Sequence, residues 1–325
     1  MRSALILSHR LDACEIHPSI AILADKPDLQ PLEELSLDEK AVVANGAHID
    51  DLVPTWFREV LYKPDIHLRK CIEAFQKRPP TWLRVTNQSS RPTPLAKPHP
   101  TIPGAWSVTG SPPLSDPHVE IQDIASQSVG LICDPKAGES WWDVCAGSGG
   151  KSLHLADLMA NKGSIVATDI RESALVELRR RATRAGVRII KPTPVSPPKE
   201  GNFEISPPSE GWRSRGGFDG ILVDAPCSGL GTWSRNPDAR WRTSADDVRN
   251  RAEVQAEILR ESAKIVRAGG RLVYSVCTIT GLETMDVINA FLHDRKDFAL
   301  DTPPHWIWPW EGPCDGMFVA RMVSR

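Results

Sequence analysis

Two cysteines of this 325-residue chain lie where a thiol could act as a nucleophile. Cys227 lies in Asp224-Ala-Pro-Cys-Ser-Gly-Leu-Gly231, after an apolar run, and Cys277 lies in Tyr274-Ser-Val-Cys-Thr278. A thiolate that adds to an electrophilic carbon splits one difficult reaction into easier steps. A free cysteine is more often an inert core residue. Because both cysteines follow predicted strands, and one follows Asp-x-Pro, we favour a chemical role.

A glycine-rich segment, Ala146-Gly-Ser-Gly-Gly150, connects a predicted strand to a predicted helix. Gly147 and Gly149 would allow a ligand to approach the backbone at the start of the helix. Asp169 ends the next predicted strand, 19 residues after Gly150. This spacing suits an acid that binds ribose hydroxyls. The third glycine of the dinucleotide fingerprint would fall at Ser152, so S-adenosylmethionine is favoured over NAD. A tight turn without a ligand is the alternative.

A thiol beside a methyl donor favours one reaction in particular. Carbon 5 of cytosine is too poor a nucleophile to attack a sulfonium methyl group unaided. A thiolate that adds at carbon 6 makes carbon 5 reactive, and a base then removes the carbon 5 proton so that the thiolate leaves. The thiol needs a lowered pKa, which a basic surround or a helix N-terminus could supply. Asp224 could hydrogen-bond the edge of the pyrimidine.

The elements that must position these groups alternate between strand and helix from about residue 120. This alternation predicts an α/β fold, a Rossmann-like domain with a parallel sheet that binds ligands at its carboxyl edge. We expect strands at 141–145, 164–168, 187–190, 218–223 and 271–277, and helices at 151–160, 171–185 and 248–266. Upstream, we expect helices over 50–57 and 67–76 and a strand over 82–85.

Proline and charge divide the chain into three predicted units. Proline clusters at 79–117, 192–208 and 303–313 indicate loops. We expect a helical, acidic region at 1–75 that caps the catalytic unit, a small α+β module at 76–119, and the Rossmann-like domain at 120–325. Residues 1–57 carry a net charge of −6, whereas 58–98 carry +6 and 171–215 carry +5. The basic stretches predict either an anionic-ligand surface or solvated helix faces.

Composition excludes several classes of protein. The chain is 41% hydrophobic and 25% charged, which is typical of a globular protein and not of a disordered or fibrous one. No segment approaches the ~20 apolar residues of a membrane span, and the first ten residues do not read as a cleaved signal. The seven cysteines are scattered without a C-x-x-C pair, which argues against a disulfide framework and a structural zinc site. We therefore expect no membrane partner, no metal, a monomer and a cytoplasmic location.

Several motifs in the same order resemble the Sun/Fmu (RsmB-like) RNA cytosine-5 methyltransferases. The resemblance covers roughly residues 75–325 and is most specific at 224–232 with Arg235-Asn-Pro-Asp238 and Arg240-Trp241. The other matching segments are 78–85, 121–127, 143–152, 274–278 and 315–321. The segment 78–85 is similar to the strand that opens the small RNA-recognition-like module of that family.

The resemblance implies a role for each site residue. Cys277 would be the nucleophile, Cys227 would help to release the product, and Lys151 and Asp224 would complete the catalytic group. The cofactor, S-adenosylmethionine, would be held by Asp169, by Asp224 and by the loop Cys145, Ala146, Gly147, Ser148, Gly149, Gly150 and Lys151. DNA cytosine-5 methyltransferases use the Pro-Cys cysteine as nucleophile instead, which gives the opposite assignment of the two thiols.

The chain also departs from the family pattern. Val276 stands where threonine is usual, and the usual Glu-Asn-Glu survives only as Glu283, followed by Thr284 and Met285. No aspartate follows the third strand to bind the adenine edge, and Glu200 or Glu204 could substitute for it.

These observations favour a methyltransferase that makes 5-methylcytosine in RNA, with rRNA as the expected partner. The alternatives are a tRNA substrate, a catalytically weak RNA-binding assembly factor, and a small-molecule methyltransferase. Trp233 and Trp241 are candidate base-stacking residues, with core packing as the alternative. Candidate phosphate contacts are Lys77, Arg78, Arg84, Arg179, Arg180, Arg181 and Arg184.

Overall fold

The computed structural model describes residues 49–86, 92–109, 112, 115–195 and 216–325. Within them the helices are α1 (Phe57–Val60), α2 (Pro64–Phe75), α3 (Ile124–Cys133), α4 (Gly150–Leu158), α5 (Glu172–Arg184), α6 (Ala239–Arg242), α7 (Ala245–Ala263) and α8 (Met285–Asp294). The strands are β1 (Thr81–Val85), β2 (Lys97–Pro98), β3 (Ala105–Val108), β4 (Val119–Ile121), β5 (Ser140–Asp143), β6 (Ser164–Asp169), β7 (Ile190–Pro194), β8 (Phe218–Asp224), β9 (Val266–Val276), β10 (Phe298–Leu300), β11 (His305–Ile307) and β12 (Met317–Ser324).

An eight-stranded mixed sheet forms the larger part of the molecule. Its order is β10-β12-β9-β8-β5-β6-β7, with β11 paired to β12. Strands β5 to β9 run parallel to one another, and β12 runs antiparallel to β9. Helices α7 and α8 pack on one face, and α3 and α4 pack on the other. The α/β, Rossmann-like fold predicted from the sequence is confirmed.

The central strands are apolar on both sides because helices cover both faces of the sheet. Trp141 and Trp142 of β5 are both fully buried, and because neighbouring side chains on a strand point to opposite faces they enter different cores. Gly220 of β8 makes room for one of them, since an added Cβ would lie 2.3 Å from the Trp141 ring.

Most predicted elements have bounds that differ from the structure by one to three residues, and three elements differ more. The third strand covers Ile190–Pro194 instead of 187–190 and includes two prolines, which an edge strand tolerates because one side needs no hydrogen bonds. Strand β9 begins at Val266 instead of at 271, and its pairing with β8 is irregular near its start. The helix expected over 50–57 is a 3-10 turn, Ile49–Leu52, followed by α1.

A second sheet, of four antiparallel strands in the order β2-β3-β1-β4, precedes the large one. Two buried charged residues attach it to the helices of the large domain. Arg84 pairs with Asp157 of α4 at 3.2 Å, and Glu120 accepts from Arg181 of α5 at 2.6 Å and from Arg184. Strand β4 lies at the predicted boundary between 119 and 120, and the division into three units stays a prediction.

Residues 49–76 pack against the catalytic domain. Phe57, Ile72 and Phe75 share an apolar cluster with Trp233 and Ile279. The backbone joins the two parts as well, because the Tyr62 amide donates to the Ile279 carbonyl at 3.1 Å. Among the helices that the structure describes, none is long and apolar enough to cross a membrane.

Candidate active site

A cavity of about 840 Å³ opens at the carboxyl edge of the large sheet, beyond the ends of β5, β6 and β8. Ligands bind at this edge in open α/β sheets. The predicted residues that line the cavity are Cys145, Ala146, Gly147, Ser148, Gly150, Lys151, Asp169, Asp224 and Cys227. The structure therefore brings together groups that are up to 82 positions apart in the chain, from 145 to 227.

The glycine-rich turn carries its two inner glycines in the left-handed region. Gly147 has φ of +55° and faces the cavity, whereas Gly149 has φ of +87° and an added Cβ would lie 2.6 Å from Leu178 Cγ. Glycine at 149 therefore allows α5 to pack against the turn, and its expected contact with a cofactor stays a prediction.

The carboxylate of Asp169 is buried and holds the turn in place. It accepts from the Gly147 amide at 2.8 Å, from the Arg171 amide at 2.8 Å and from the Arg171 guanidinium at 3.0 and 3.2 Å. Burial raises the pKa of Asp169, but the hydrogen bonds from Arg171 and Gly147 outweigh it, so the net pKa lies below the usual range. Arg171, which also lines the cavity, was missed by the sequence reasoning.

Asp143, at the end of β5, is a second cavity residue that the sequence reasoning missed as a site residue. It is fully buried, its Oδ2 accepts from Ser152 Oγ at 2.5 Å, and its Oδ1 has no hydrogen-bond partner. Burial raises its pKa to about 7. The sequence signal that could have identified it is its position at the end of the predicted strand, three residues before Ala146 of the glycine-rich segment. The residue lies in the cavity wall, but this oxygen is itself covered by protein.

Lys151 and Asp224 form an ion pair at 2.7 Å across the cavity. The second oxygen of Asp224 accepts from Ser275 Oγ at 2.7 Å, so the carboxylate is held from two directions. Burial lowers the pKa of Lys151, but the charge and the hydrogen bond of Asp224 outweigh this effect, so the net pKa is raised. Lys151 is therefore a cation at neutral pH.

The two predicted catalytic thiols lie side by side. Cys227 follows β8 and Cys277 follows β9, and their Sγ atoms are 3.3 Å apart. Both residues are partly buried. The hydrogen bond to Cys277 raises the pKa of Cys227 well above its usual value, and burial and the charges of Cys277 and Glu283 act in the same direction. Cys227 is therefore protonated at neutral pH before Cys277 has reacted.

Two of the departures near Cys277 have structural roles. Val276 is fully buried in the apolar core on the opposite face of β9 from its neighbour Cys277. Thr284 precedes α8 and donates to the carbonyls of Thr280 and Gly281. Strand β7 is followed by Val195 in the cavity wall, and Glu200 and Glu204 lie outside the described residues.

The candidate RNA-contacting residues divide into two groups. Trp233 is fully buried against Phe57 and Phe75, so its predicted stacking on a base is wrong, because residues 49–76 cover it. Trp241 is only partly buried, and its predicted stacking stays untested.

Several of the basic residues already have acidic partners. Arg84, Arg181 and Arg184 hold the small sheet to the large domain, so their expected role as free phosphate contacts is wrong. Arg180 is exposed and pairs with Glu177 at 2.7 Å. Lys77, Arg78 and Arg179 are exposed as well and remain candidates.

Comparisons with known proteins agree with this geometry. The family model for 16S rRNA methyltransferase RsmB/F matches residues 130–323. A Bacillus subtilis (strain 168) protein named "Probable ribosomal RNA small subunit methyltransferase B" is 40% identical over 196 residues, which are 60% of this chain and 42% of that protein. Ribosomal RNA small subunit methyltransferase B of Salmonella newport (strain SL254) is 32% identical over 276 residues, 78% of this chain and 62% of that protein.

The chain thus spans less than two thirds of the length of these two relatives. The crystal structure of a methyltransferase homolog protein from Pyrococcus horikoshii has the same fold, with a TM-score of 0.66 and 24% identity over 91% of this chain and 100% of that one. The family match covers more than half of the chain and contains the glycine-rich turn, the ion pair and both thiols. The chain therefore belongs to the RsmB/F family of 16S rRNA methyltransferases.

Proposed function

We propose that this chain transfers a methyl group from S-adenosylmethionine to carbon 5 of a cytosine in RNA, with small-subunit rRNA as the substrate. The observation that carries the proposal is the pair of thiols 3.3 Å apart, one of which lines the cavity that also contains the glycine-rich turn and Asp169. A small-molecule methyltransferase would have no use for two adjacent thiols. The names of the relatives support rRNA as the substrate.

The cavity fits S-adenosylmethionine. Asp169 offers a carboxylate to ribose hydroxyls, and the left-handed Gly147 leaves the turn open to the ligand. When bound, the cofactor supplies an electrophilic methyl group on sulfur.

Cys277 is the nucleophile in this proposal. The cation of Lys151 interacts favourably with a Cys277 thiolate, and the same interaction contributes to the raised pKa of Lys151. A thiolate is the reactive form of cysteine, so a nearby cation favours attack at carbon 6 of the base. Asp224, held by Lys151 and Ser275, hydrogen-bonds the pyrimidine edge in this proposal.

Cys227 acts after Cys277 has reacted. The pKa of Cys227 is raised chiefly by its hydrogen bond to Cys277. When the Cys277 sulfur becomes bonded to carbon 6, it no longer carries the charge that raises the pKa of Cys227, so Cys227 loses its proton to solvent. The Cys227 thiolate then takes the proton from carbon 5 while the bond between Cys277 and carbon 6 breaks, and Cys277 leaves as a thiolate. This order separates the roles of the two cysteines.

The test is methylation of fractionated RNA with labelled S-adenosylmethionine, followed by nucleoside analysis. The proposal expects 5-methylcytosine in small-subunit rRNA. Label in tRNA alone would change the substrate, and label in neither RNA despite cofactor binding would contradict the proposal and favour an RNA-binding assembly factor. The cytoplasmic location and the monomeric state stay predictions.

A further inference from the structure

Glu283 is a buried carboxylate that the chemistry above does not use. It is fully buried and is absent from the cavity wall. Its Oε1 accepts from the Ser228 amide at 2.8 Å and from Gln255 Nε2 at 2.9 Å. Its Oε2 accepts from Thr278 Oγ1 at 3.1 Å, from Thr280 Oγ1 at 3.2 Å and from Ser228 Oγ. None of the ion pairs found among the described residues includes it.

The donors around Glu283 belong to the segments that carry the two thiols. Ser228 directly follows Cys227, and Thr278 directly follows Cys277. Gln255 of α7 extends the connection, because its Nε2 also donates to the Pro226 carbonyl at 3.0 Å. One carboxylate therefore joins the loop after β8, the loop after β9 and α7.

The two oxygens of Glu283 take part in five hydrogen bonds with four residues. The Ser228 amide and Gln255 Nε2 donate to one oxygen, and three hydroxyl contacts surround the other. A buried polar group costs little when its hydrogen bonds are made, whereas removal of one partner leaves a buried group unpaired. The carboxylate therefore fixes the two loops relative to one another.

We propose that Glu283 is a positioning residue that fixes the distance between Cys227 and Cys277. It contacts neither sulfur and acts through Ser228 and Thr278. The consequence for catalysis rests on the proposed function, whereas the positioning itself does not. The first experiment therefore measures geometry and the second measures turnover.

Oxidation of the two thiols by diamide measures the geometry. Diamide takes up two electrons and two protons from the pair, and the sulfurs form one S–S bond. In the unsubstituted protein the Sγ atoms at 3.3 Å must approach to about 2.05 Å, so the disulfide should form readily. In Glu283→Gln the initial rate should fall by about ten- to 100-fold, since a misplacement of 1 Å is enough for such a loss. Peptide mapping by mass spectrometry identifies the 227–277 disulfide among other cysteine products.

Methylation kinetics of the same variant form the second experiment. Glu283→Gln should lower kcat by up to about 100-fold, with the affinity for S-adenosylmethionine unchanged, because the cofactor turn shares no hydrogen bond with Glu283. Glu120→Gln is the matched control, because it also neutralises a buried glutamate but one that holds the small sheet. The control should form the disulfide at the unsubstituted rate.

Two further variants keep the inference testable if Glu283→Gln does not fold. Thr278→Val removes one donor to Glu283, whereas Thr278→Ser retains the hydroxyl. The valine variant should slow disulfide formation and the serine variant should restore it. Unchanged disulfide rates in folded Glu283→Gln, or equal rates in the two Thr278 variants, would overturn the positioning role. Absence of methylation by the unsubstituted protein would contradict the proposed function and leave the disulfide test intact.

Discussion

Replacing Asp169 by alanine is expected to weaken S-adenosylmethionine binding by about ten- to hundredfold. The carboxylate holds the glycine turn and Arg171, since it accepts from the Gly147 amide at 2.8 Å and from the guanidinium of Arg171 at 3.0 and 3.2 Å. Its second role, in the proposed function, is to bind the ribose of the cofactor. A hydrogen bond from a ribose hydroxyl to a charged acceptor contributes about 1.5–3 kcal/mol. Since 1.4 kcal/mol corresponds to about a tenfold change, the loss is between one and two powers of ten.

Asp169→Asn separates the two roles of this side chain. The amide retains one acceptor oxygen for the glycine turn but has no charge, so its loss of affinity should be smaller than that of Asp169→Ala. Glu177→Ala is the matched control, because it also removes a carboxylate paired with an arginine two or three positions away, but on the exposed face of α5.

Isothermal titration calorimetry with S-adenosylmethionine gives the affinities, and circular dichroism confirms folding. The control should bind like the unsubstituted chain. An unchanged affinity in folded Asp169→Ala would refute the assignment of this carboxylate to the ribose.

Two further predictions follow from the charges. Burial raises the pKa of Asp143 to about 7 from its ordinary 3.8, so the folded state binds the proton more tightly than the unfolded one. The stabilisation from the protonated form is therefore full below about pH 4 and is lost as the pH rises to about 7. In the cofactor-free protein, the free energy of unfolding should fall less over this range in Asp143→Asn than in the unsubstituted chain, by up to about 4 kcal/mol, as measured by urea unfolding at each pH. If Lys77 and Arg78 bind phosphates, neutralising both should reduce the salt dependence of RNA binding by about 0.7–0.9 log units for each phosphate interaction removed, whereas Arg180→Ala, whose guanidinium already pairs with a glutamate, should leave the slope unchanged. The first expectation would be contradicted if the free energy of unfolding changed equally with pH in Asp143→Asn and in the unsubstituted chain. The second would be contradicted if RNA binding had the same salt dependence in the double variant and in the control.

The sequence predicts the sheet and the cofactor turn because both depend on local patterns. The apolar run at Phe218–Asp224 and the glycines before α4 identify a buried strand and a ligand-binding helix start without knowledge of the rest of the fold. The same patterns correctly indicate that Asp224 and Cys277 lie at one edge, since the carboxyl ends of parallel strands meet there.

The remaining features depend on contacts between distant segments. The cover of Trp233 by residues 49–76 and the pairing of Arg181 with Glu120 join parts of the chain that no local pattern relates. The role of Glu283 is of the same kind, because the sequence shows a glutamate and the fold shows which loops it joins. Pro192 indicates a loop in the sequence but lies within β7 in the structure. An edge strand tolerates a residue without an amide hydrogen, whereas a central strand excludes it.

Covalent trapping on RNA that contains 5-fluorocytosine tests the central claim, that Cys277 adds to the base, most directly. Fluorine replaces the carbon 5 proton whose removal would release the enzyme, and a base cannot remove it, so the unsubstituted chain should form a complex that survives denaturing gel electrophoresis. Cys277→Ser should form none, because a hydroxyl is scarcely ionised at neutral pH. Cys227→Ser should still form the complex, and on unmodified RNA it should accumulate as well, because release is slowed. Trapping by Cys277→Ser together with none by Cys227→Ser would contradict the account and assign the nucleophile to Cys227.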